Sequence, residues 1–488
     1  MRTGLFISLA RIWMSLCGIG TTVAAVSVLD PVAFGVFAVA SSVGLFFQQI
    51  VGAGAQEAFL GRTVDERGAH AFATLTGLVS VCLLIALAWA ASVTGWPLGA
   101  ATCLVFAITV FLWSLATIAD ARATREGRGE RIFVAVALAD TAGLVVAVGG
   151  LLVGWGGYAL AAGKLAQGVT HYVAFSLLMR QVLAPSLALR DLRGYGRRFA
   201  AFSLPRFSGW ADGYAADLVI GGLLSPAAAG QFRLASRFAG AFQSIVTNSL
   251  NVILLAEVGR RTHPALKAAR MMRVSPSAVV LVGFAVTIFS ILVSFALARF
   301  GRGAWEDAAV IVLWLAVATP ALVVNGAVTA LLTGQDATRR IVNVQVVRLA
   351  LATLGMTAGA AVSATASAAA RSLLSALAMV GCVPFVTRRR GQRRRMLSPL
   401  LRQTAVILAT VLVAQSLTAV PGGLGGWTSL VILLSVGLGL QAALTFPELV
   451  TTAREARAQW ALRRPATAPR GRPLVELAPQ LPTAEVTR

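Results

Sequence analysis

"LDPVAFGVFAVASSVGLFFQQIV", residues Leu29–Val51, recurs as "LSPAAAGQFRLASRFAGAFQSIV", residues Leu224–Val246, at a constant offset of 195 residues with no gap. Eleven of the 23 positions are identical, among them Pro31/Pro226, Gly35/Gly230, Phe37/Phe232, Gln48/Gln243 and Val51/Val246. The offset extends upstream, where "SLAR" (Ser8–Arg11) precedes "SLPR" (Ser203–Arg206) by the same 195 residues. Each copy reads as a helix with an arginine about two turns inside, a short loop with Pro and Gly, and a second helix. The chain therefore carries one helix pair twice.

What surrounds the two copies sets their environment. Of 488 residues, 57% are hydrophobic and 12% charged, with a mean hydropathy of +0.79; soluble chains carry about 25% charged residues. The apolar residues fall in blocks of roughly 20, the length a helix needs to cross hydrocarbon. Only helices that satisfy their own backbone can do this repeatedly in one chain. An all-α polytopic membrane protein follows, with fourteen expected spans: 5–28, 35–60, 71–93, 99–119, 132–153, 158–180, 200–223, 232–256, 275–298, 308–333, 341–363, 367–386, 403–420 and 428–447. The first is read as a span and not as a cleaved signal, since no small-residue cleavage site and soluble domain follow it.

Charge tests that count. With the N-terminus in the cytoplasm and loops alternating, cytoplasmic segments hold 33 of the 42 Lys and Arg, external loops hold two (Arg299 and Arg302), and seven lie within spans. One missed helix would invert every later loop and destroy this positive-inside pattern. The same rule accounts for the net charge of +23 without nucleic acid as a partner. Both termini are expected on the cytoplasmic side. Cys17, Cys82, Cys103 and Cys382 lie in apolar blocks without metal spacing and read as small buried residues.

The expected organisation is a six-helix lobe (1–183), a basic linker (184–199), a second six-helix lobe (200–387), a basic loop (388–402), two extra spans (403–447) and a tail (448–488), amphipathic at first and disordered after Pro465. Six spans separate the repeats, so the two lobes share one orientation. Parallel lobes of this kind belong to transporters that rock two bundles around a central site.

"VLDPVAFGVFAVASSV" and "FSLPRFSGWADGYAADLVIGGLLSPAAAGQFRLASRF" resemble elements of the polysaccharide transporter, or Wzx-type lipid-linked oligosaccharide flippase, family of the multidrug/oligosaccharidyl-lipid/polysaccharide exporter superfamily. Gly230-Gln231-Phe232 departs from that family's usual Gly-x-Tyr. The resemblance implies two lobes around a polar central cavity, two additional C-terminal helices, and movement of undecaprenyl-diphosphate-linked glycans across the plasma membrane. It also implies a polysaccharide polymerase and a chain-length regulator as partners of a monomeric flippase.

Charges inside spans are costly and usually functional or paired. The cations are Arg11, Lys164, Arg206, Arg233, Arg237, Arg348 and Arg371; the acids well inside are Glu57, Asp140, Asp212 and Asp217. Guanidinium forks suit phosphate oxygens, which makes Arg11, Arg206, Arg237, Lys164 and Arg348 candidate substrate-binding residues. Gln48 and Gln243, symmetry mates, would hydrogen-bond sugars or clamp helices. The acids are read as coupling or charge-pairing groups: Asp140 with Lys164, Asp212 and Asp217 with Arg206 or Arg237. Arg233 and Arg371, nearer the external edge, are expected to snorkel to the interface. Gly35, Gly230 and the "VGAGAQ" run (Val51–Gln56) would supply flexure or close packing.

No phosphate-binding loop, metal cluster or nucleophile–base constellation points to an enzyme, and no cofactor is implied. The external loops are too short for a glycan polymerase. A cation-coupled multidrug antiporter and a lipid II flippase share the plan and remain alternatives; the excess of cations over acids within spans favours an anionic substrate.

Overall fold

The computed structural model describes residues 2–53, 55–60, 66–180, 185, 195–259, 264–301, 303–333, 337–387, 390–418 and 423–444. The expected amphipathic and disordered tail, 448–488, and most of the linker lie outside them. The described residues contain helices and no strand. The first lobe comprises α1 (Arg2–Val28), α2 (Pro31–Ile50), α3 (Ala55–Leu60), α4 (Glu66–Val93), α5 (Pro97–Arg125), α6 (Gly129–Leu152) and α7 (Tyr158–Met179). The second comprises α8 (Tyr195–Leu223), α9 (Pro226–Gly259), α10 (Pro264–Phe300), α11 (Glu306–Ala316), α12 (Thr319–Thr333), α13 (Thr338–Ala360) and α14 (Ala364–Val386). Then come α15 (Arg390–Leu417) and α16 (Trp427–Leu444).

Each of the fourteen expected stretches is helical, and eleven helical stretches among the described residues are long and apolar enough to cross a membrane. The three that fall short are α7, α8 and α9, which carry Lys164, Arg206, Asp212, Asp217, Arg233 and Arg237. Their lower hydropathy is the mark of helices that face other helices or water.

The repeat is visible in cap chemistry. Asp30 Oδ1 accepts from the Ala33 backbone N at 2.7 Å, and Ser225 Oγ accepts from the Ala228 N at 3.1 Å, each followed by a proline whose missing N–H costs nothing at that position. These two starts then meet. A Cβ on Gly35 would lie 1.7 Å from the Pro226 carbonyl oxygen, and one on Gly230 would lie 2.3 Å from the Pro31 oxygen. The two copies of the element cross at their N-terminal ends, glycine against glycine, and the glycines serve close approach. Phe34 closes the same end edge-on against Trp305, ring centroids 5.8 Å apart. Ala25, Phe37, Ile220 and Phe232 join them in one buried cluster that seals the lobes at the face that charge assigns to the exterior.

Four sequence expectations are corrected. Span 35–60 is not one helix: the chain turns at Val51–Ala53, with Gly52 at φ +70°, and restarts as α3. Span 308–333 is likewise broken, because Pro320 cannot donate back to Ala316; Val317 and Ala318 tighten into i→i−3 bonds to Trp314 and Leu315. The basic loop expected over 388–402 is helical from Arg390 onward. Cys82 is exposed on the outward side of α4, not buried. The two additional helices attach to the second lobe through buried amides: Gln403 Nε2 donates to Gln441 Oε1 at 3.1 Å, and Gln441 Nε2 to Thr287 Oγ1 at 3.1 Å.

Candidate functional site

The lobes touch mainly through α2 against α8 and α9, and α8 carries a ladder of charge along that boundary. From Arg206 to Asp217 is about 16 Å at 1.5 Å per residue. At the lower rung Arg206 Nε donates to Glu57 Oε1 at 2.9 Å and Nη2 to Gln56 Oε1 at 2.5 Å, while Nη1 reaches the carbonyls of Gln49 (3.1 Å) and Val51 (3.3 Å). The guanidinium thus satisfies the frayed carbonyl end of α2, where the helix dipole favours a cation, and ties the second lobe to the first. In this conformation Arg206 is a latch, fully engaged by protein, and its acid is Glu57 rather than Asp212 or Asp217.

The middle rung pairs Asp212 with Arg348 of α13 through both carboxylate oxygens, Nη1 to Oδ1 at 3.1 Å and Nη2 to Oδ2. Arg371 of α14 donates to the Asp212 backbone carbonyl. This binds α8 within its own lobe, and it overturns the expectation that Arg371 snorkels.

The upper rung overturns the reading of Arg233 as well. Its side chain is 2% exposed and ion-paired with Asp217, which is 1% exposed. Ser42 Oγ donates to the same Asp217 oxygen at 2.6 Å, Arg233 Nη2 reaches Ser41 Oγ at 3.3 Å, and the Arg233 guanidinium lies 4.6 Å from the Tyr214 ring centroid. Trp210 Nε1 donates to the Ser42 carbonyl at 2.9 Å. Depth alone suggested a snorkelling arginine. The sequence did hold a better signal: at the 195-residue offset Asp217 and Arg233 replace Thr22 and Ala38, so both members of a pair depart from the repeat together.

Inside the first lobe, α1, α2, α5, α6 and α7 surround a cavity of about 80 Å³. Gln48, Asp140 and Lys164 all line it, three residues the sequence singled out from different helices. Asp140 and Lys164 are joined through Gln167: Lys164 Nζ donates to Gln167 Oε1 at 2.8 Å, and Gln167 Nε2 to Asp140 Oδ1 at 2.5 Å. Trp113 completes the wall, held by His171 stacked on it at 4.3 Å and 17°. Gln167, Trp113 and His171 were missed by sequence reasoning, because neutral polar and aromatic residues in spans are common and nothing in their spacing sets them apart.

Arg237, one turn below Arg233, lies 5.9 Å from the Tyr214 ring centroid and has no ion pair among the described residues. Gln243, the mate of Gln48, donates to Thr319 Oγ1 at 3.0 Å, at the start of α12, and clamps helices. Arg11 is exposed and has no ion pair among the described residues. It is equivalent to Arg206 in the repeat but not in the structure. The reason is legible in the offset: the position matching Glu57 is Val252, so the acid that holds Arg206 has no counterpart for Arg11. Among the described residues no group of His, Cys, Asp and Glu could hold a metal ion.

Two lobes in parallel orientation, joined along a charged boundary and sealed at one face, define the class: a multi-pass membrane protein with the fold of the multidrug/oligosaccharidyl-lipid/polysaccharide superfamily. The structure is similar to a lipid II flippase MurJ in an inward closed conformation, with a TM-score of 0.69 at 11% identity, covering 91% of this chain and 99% of that one. It is also similar to an inward-facing multidrug resistance MATE family transporter, with a TM-score of 0.51 at 15% identity, covering 83% and 95%. No curated protein matches the sequence. Residues 27–309, more than half of the chain, match the polysaccharide biosynthesis protein family, and the chain belongs to it. By fold, the solved structures it is similar to are a flippase and a multidrug transporter.

Proposed function

We propose that this protein is the flippase of a polysaccharide pathway, carrying undecaprenyl-diphosphate-linked oligosaccharide units from the inner to the outer leaflet of the bacterial cell membrane by alternating access. The observation that carries this reading is Arg237 on α9, the helix that faces α2 across the lobe boundary: it lies near the Tyr214 ring and lacks an acid partner among the described residues. A guanidinium without a carboxylate partner is stabilised by a bound anion, and a diphosphate supplies two or more negative charges with oxygens that match a guanidinium fork. The prenyl chain stays in lipid beside the boundary, and only the headgroup follows the polar path. Both termini are cytoplasmic, and the flippase works as a monomer that hands its product to a polymerase and a chain-length regulator.

The test is translocation in proteoliposomes loaded with fluorescent undecaprenyl-diphosphate glycans, scored by protection from a membrane-impermeant quencher. Wild type is expected to move the lipid. Arg237→Ala should slow it about ten- to a hundred-fold, the loss of one charge-assisted contact of ~1.5–3 kcal/mol, with Arg237→Lys intermediate. Equal rates with empty liposomes would end the proposal. The likeness to a MurJ flippase favours lipid II as a second reading, and rescue of cells depleted of their own lipid II flippase would select it. A multidrug antiporter fits less well, since the boundary cations would repel a cationic drug.

A further inference from the structure

The two lobes differ in charge at the face that charge assigns to the cytoplasm. In the second lobe Arg339 and Arg340 lie in the first turn of α13, and Arg393, Arg394 and Arg395 in the first two turns of α15. All five are exposed, and none has an ion pair among the described residues. In the first lobe the same face is balanced: Glu66 and Glu126 pair with Arg122, and Glu126 with Arg128, at 2.8–3.2 Å. The positive-inside bias asks for cations on this face, but it does not strip one lobe of the acids that pair with them. Nor do the helices gain, since a helix start favours negative charge and neither first turn contains an acid. Packing fixes where these arginines stand. Val344 of α13 and Met396 and Leu400 of α15 enter one buried cluster with Cys382 and Val383 of α14. The arginine turns are thus held at one end of the second lobe, around the end of α14, where Phe385 is 84% exposed. Val347 of α13 and Leu401 of α15 are also exposed, each seven residues beyond an arginine and so ~10 Å deeper. Both helices are long and apolar enough to cross a membrane from these arginines onward. Cations first and apolar side chains deeper is the order of a phospholipid's headgroup and acyl chains.

We propose that this end of the second lobe is a binding surface for anionic phospholipid of the leaflet it faces. The guanidinium forks take the headgroup phosphates, and Phe385, Val347 and Leu401 take the acyl chains. A free phosphate or an acidic peptide matches the charge but leaves the apolar side chains uncovered; a lipid covers both. A zwitterionic headgroup carries its own cation, which the arginines repel, so the surface prefers a headgroup of net negative charge such as phosphatidylglycerol. The first lobe, whose arginines are already neutralised by Glu66 and Glu126, lacks this preference. The surface does not depend on what the protein carries, because Arg237 lies on α9 and takes no part in it.

The test uses the full chain in lipid nanodiscs, with the four native cysteines replaced by alanine and a fluorophore attached through Gly381→Cys. Gly381 is exposed one turn before Phe385, and a Cβ there meets open space, so the label leaves the surface intact. Quenching by spin-labelled phosphatidylglycerol is compared with quenching by spin-labelled phosphatidylcholine at the same mole fraction. Phosphatidylglycerol is expected to be preferred roughly five- to ten-fold at Gly381. Arg393→Gln, Arg394→Gln and Arg395→Gln together should lower the preference to about two-fold, and Lys at the same three positions should keep most of it. At Leu152→Cys, exposed at the opposite face, the two lipids should quench alike. Equal quenching at Gly381 with every arginine in place overturns the surface, and that result does not depend on how the Gln protein folds. An equal preference at Leu152 overturns it as well, since the attraction then belongs to the net charge of the whole protein. Loss of the preference in excess inorganic phosphate at constant ionic strength assigns the arginines to a free anion and overturns the lipid.

Discussion

Arg233 shows how far residue-level reasoning reaches. One turn inside a span, an arginine can lift its head to the interface, and only the fold reveals that this one is enclosed by Asp217, Ser41, Ser42 and Tyr214. A buried pair is costly to break from one side, about 3–5 kcal/mol, because the survivor is left charged and unpaired. Arg233→Ala is therefore expected to lower the melting temperature in detergent sharply and to abolish transport. Asp217→Ala added to it should recover part of the thermal stability, since no lone charge then remains. A silent Arg233→Ala would show that the arginine reaches the interface after all. The cations at the other depths were legible as unusual residues; their partners were not, because Glu57 with Arg206 and Arg348 with Asp212 lie 149 and 136 residues apart in the chain.

At the scale of elements, the decisive feature is the crossing of α2 and α9. A proline after an N-cap and a glycine four residues on are written in both copies of the repeat, and they make two matching helix starts, one capped by Asp30 and the other by Ser225. That the starts pack against one another is a tertiary fact. Gly35→Ala would place a methyl 1.7 Å from the Pro226 carbonyl oxygen, so the two helices must part. The expected result is opening of the sealed face. With the four native cysteines replaced by alanine, a cysteine at Ser41 (1% exposed) should react with an impermeant thiol reagent roughly ten-fold faster in the Gly35→Ala protein, a population shift of about 1.4 kcal/mol. Unchanged labelling would mean that the glycine pair does not hold the face closed. The breaks at Gly52 and before Pro320 belong to the same scale. Both residues were visible as punctuation, but a run of apolar residues reads as one span until the backbone is traced.

For the whole molecule, closure is held at two heights: an apolar seal around Phe34, Trp305 and the glycine pair, and the Arg206–Glu57 latch toward the other end. Alternating access requires these to open in turn. The latch is partly exposed, 20% and 28%, and such a pair is worth at most about 1 kcal/mol, a factor of roughly five in a conformational equilibrium. Arg206→Ala should accordingly populate the conformation open on the latch side about five-fold more. Double electron–electron resonance between spin labels at Leu60 and Phe207 would show a longer distance. The exchanged pair Glu57→Arg with Arg206→Glu should restore the shorter one. If the exchange fails while Arg206→Ala still shifts the distance, the backbone carbonyls of Gln49 and Val51 hold the arginine, and the carboxylate is incidental.

The sequence alone determined that the protein is a helical, multi-pass membrane protein built from two parallel copies of one plan, because hydrocarbon thickness, positive-inside charge and a 195-residue offset are local or periodic properties. It also determined which residues are out of place in a membrane. Only the tertiary structure decided what each of them does. Arg11 and Arg206 occupy equivalent positions yet live in different surroundings, since the partner of one is Glu57 and the matching position for the other is Val252. A charge takes its meaning from what faces it across a boundary, and that neighbour comes from a distant helix that no periodicity along the chain can name.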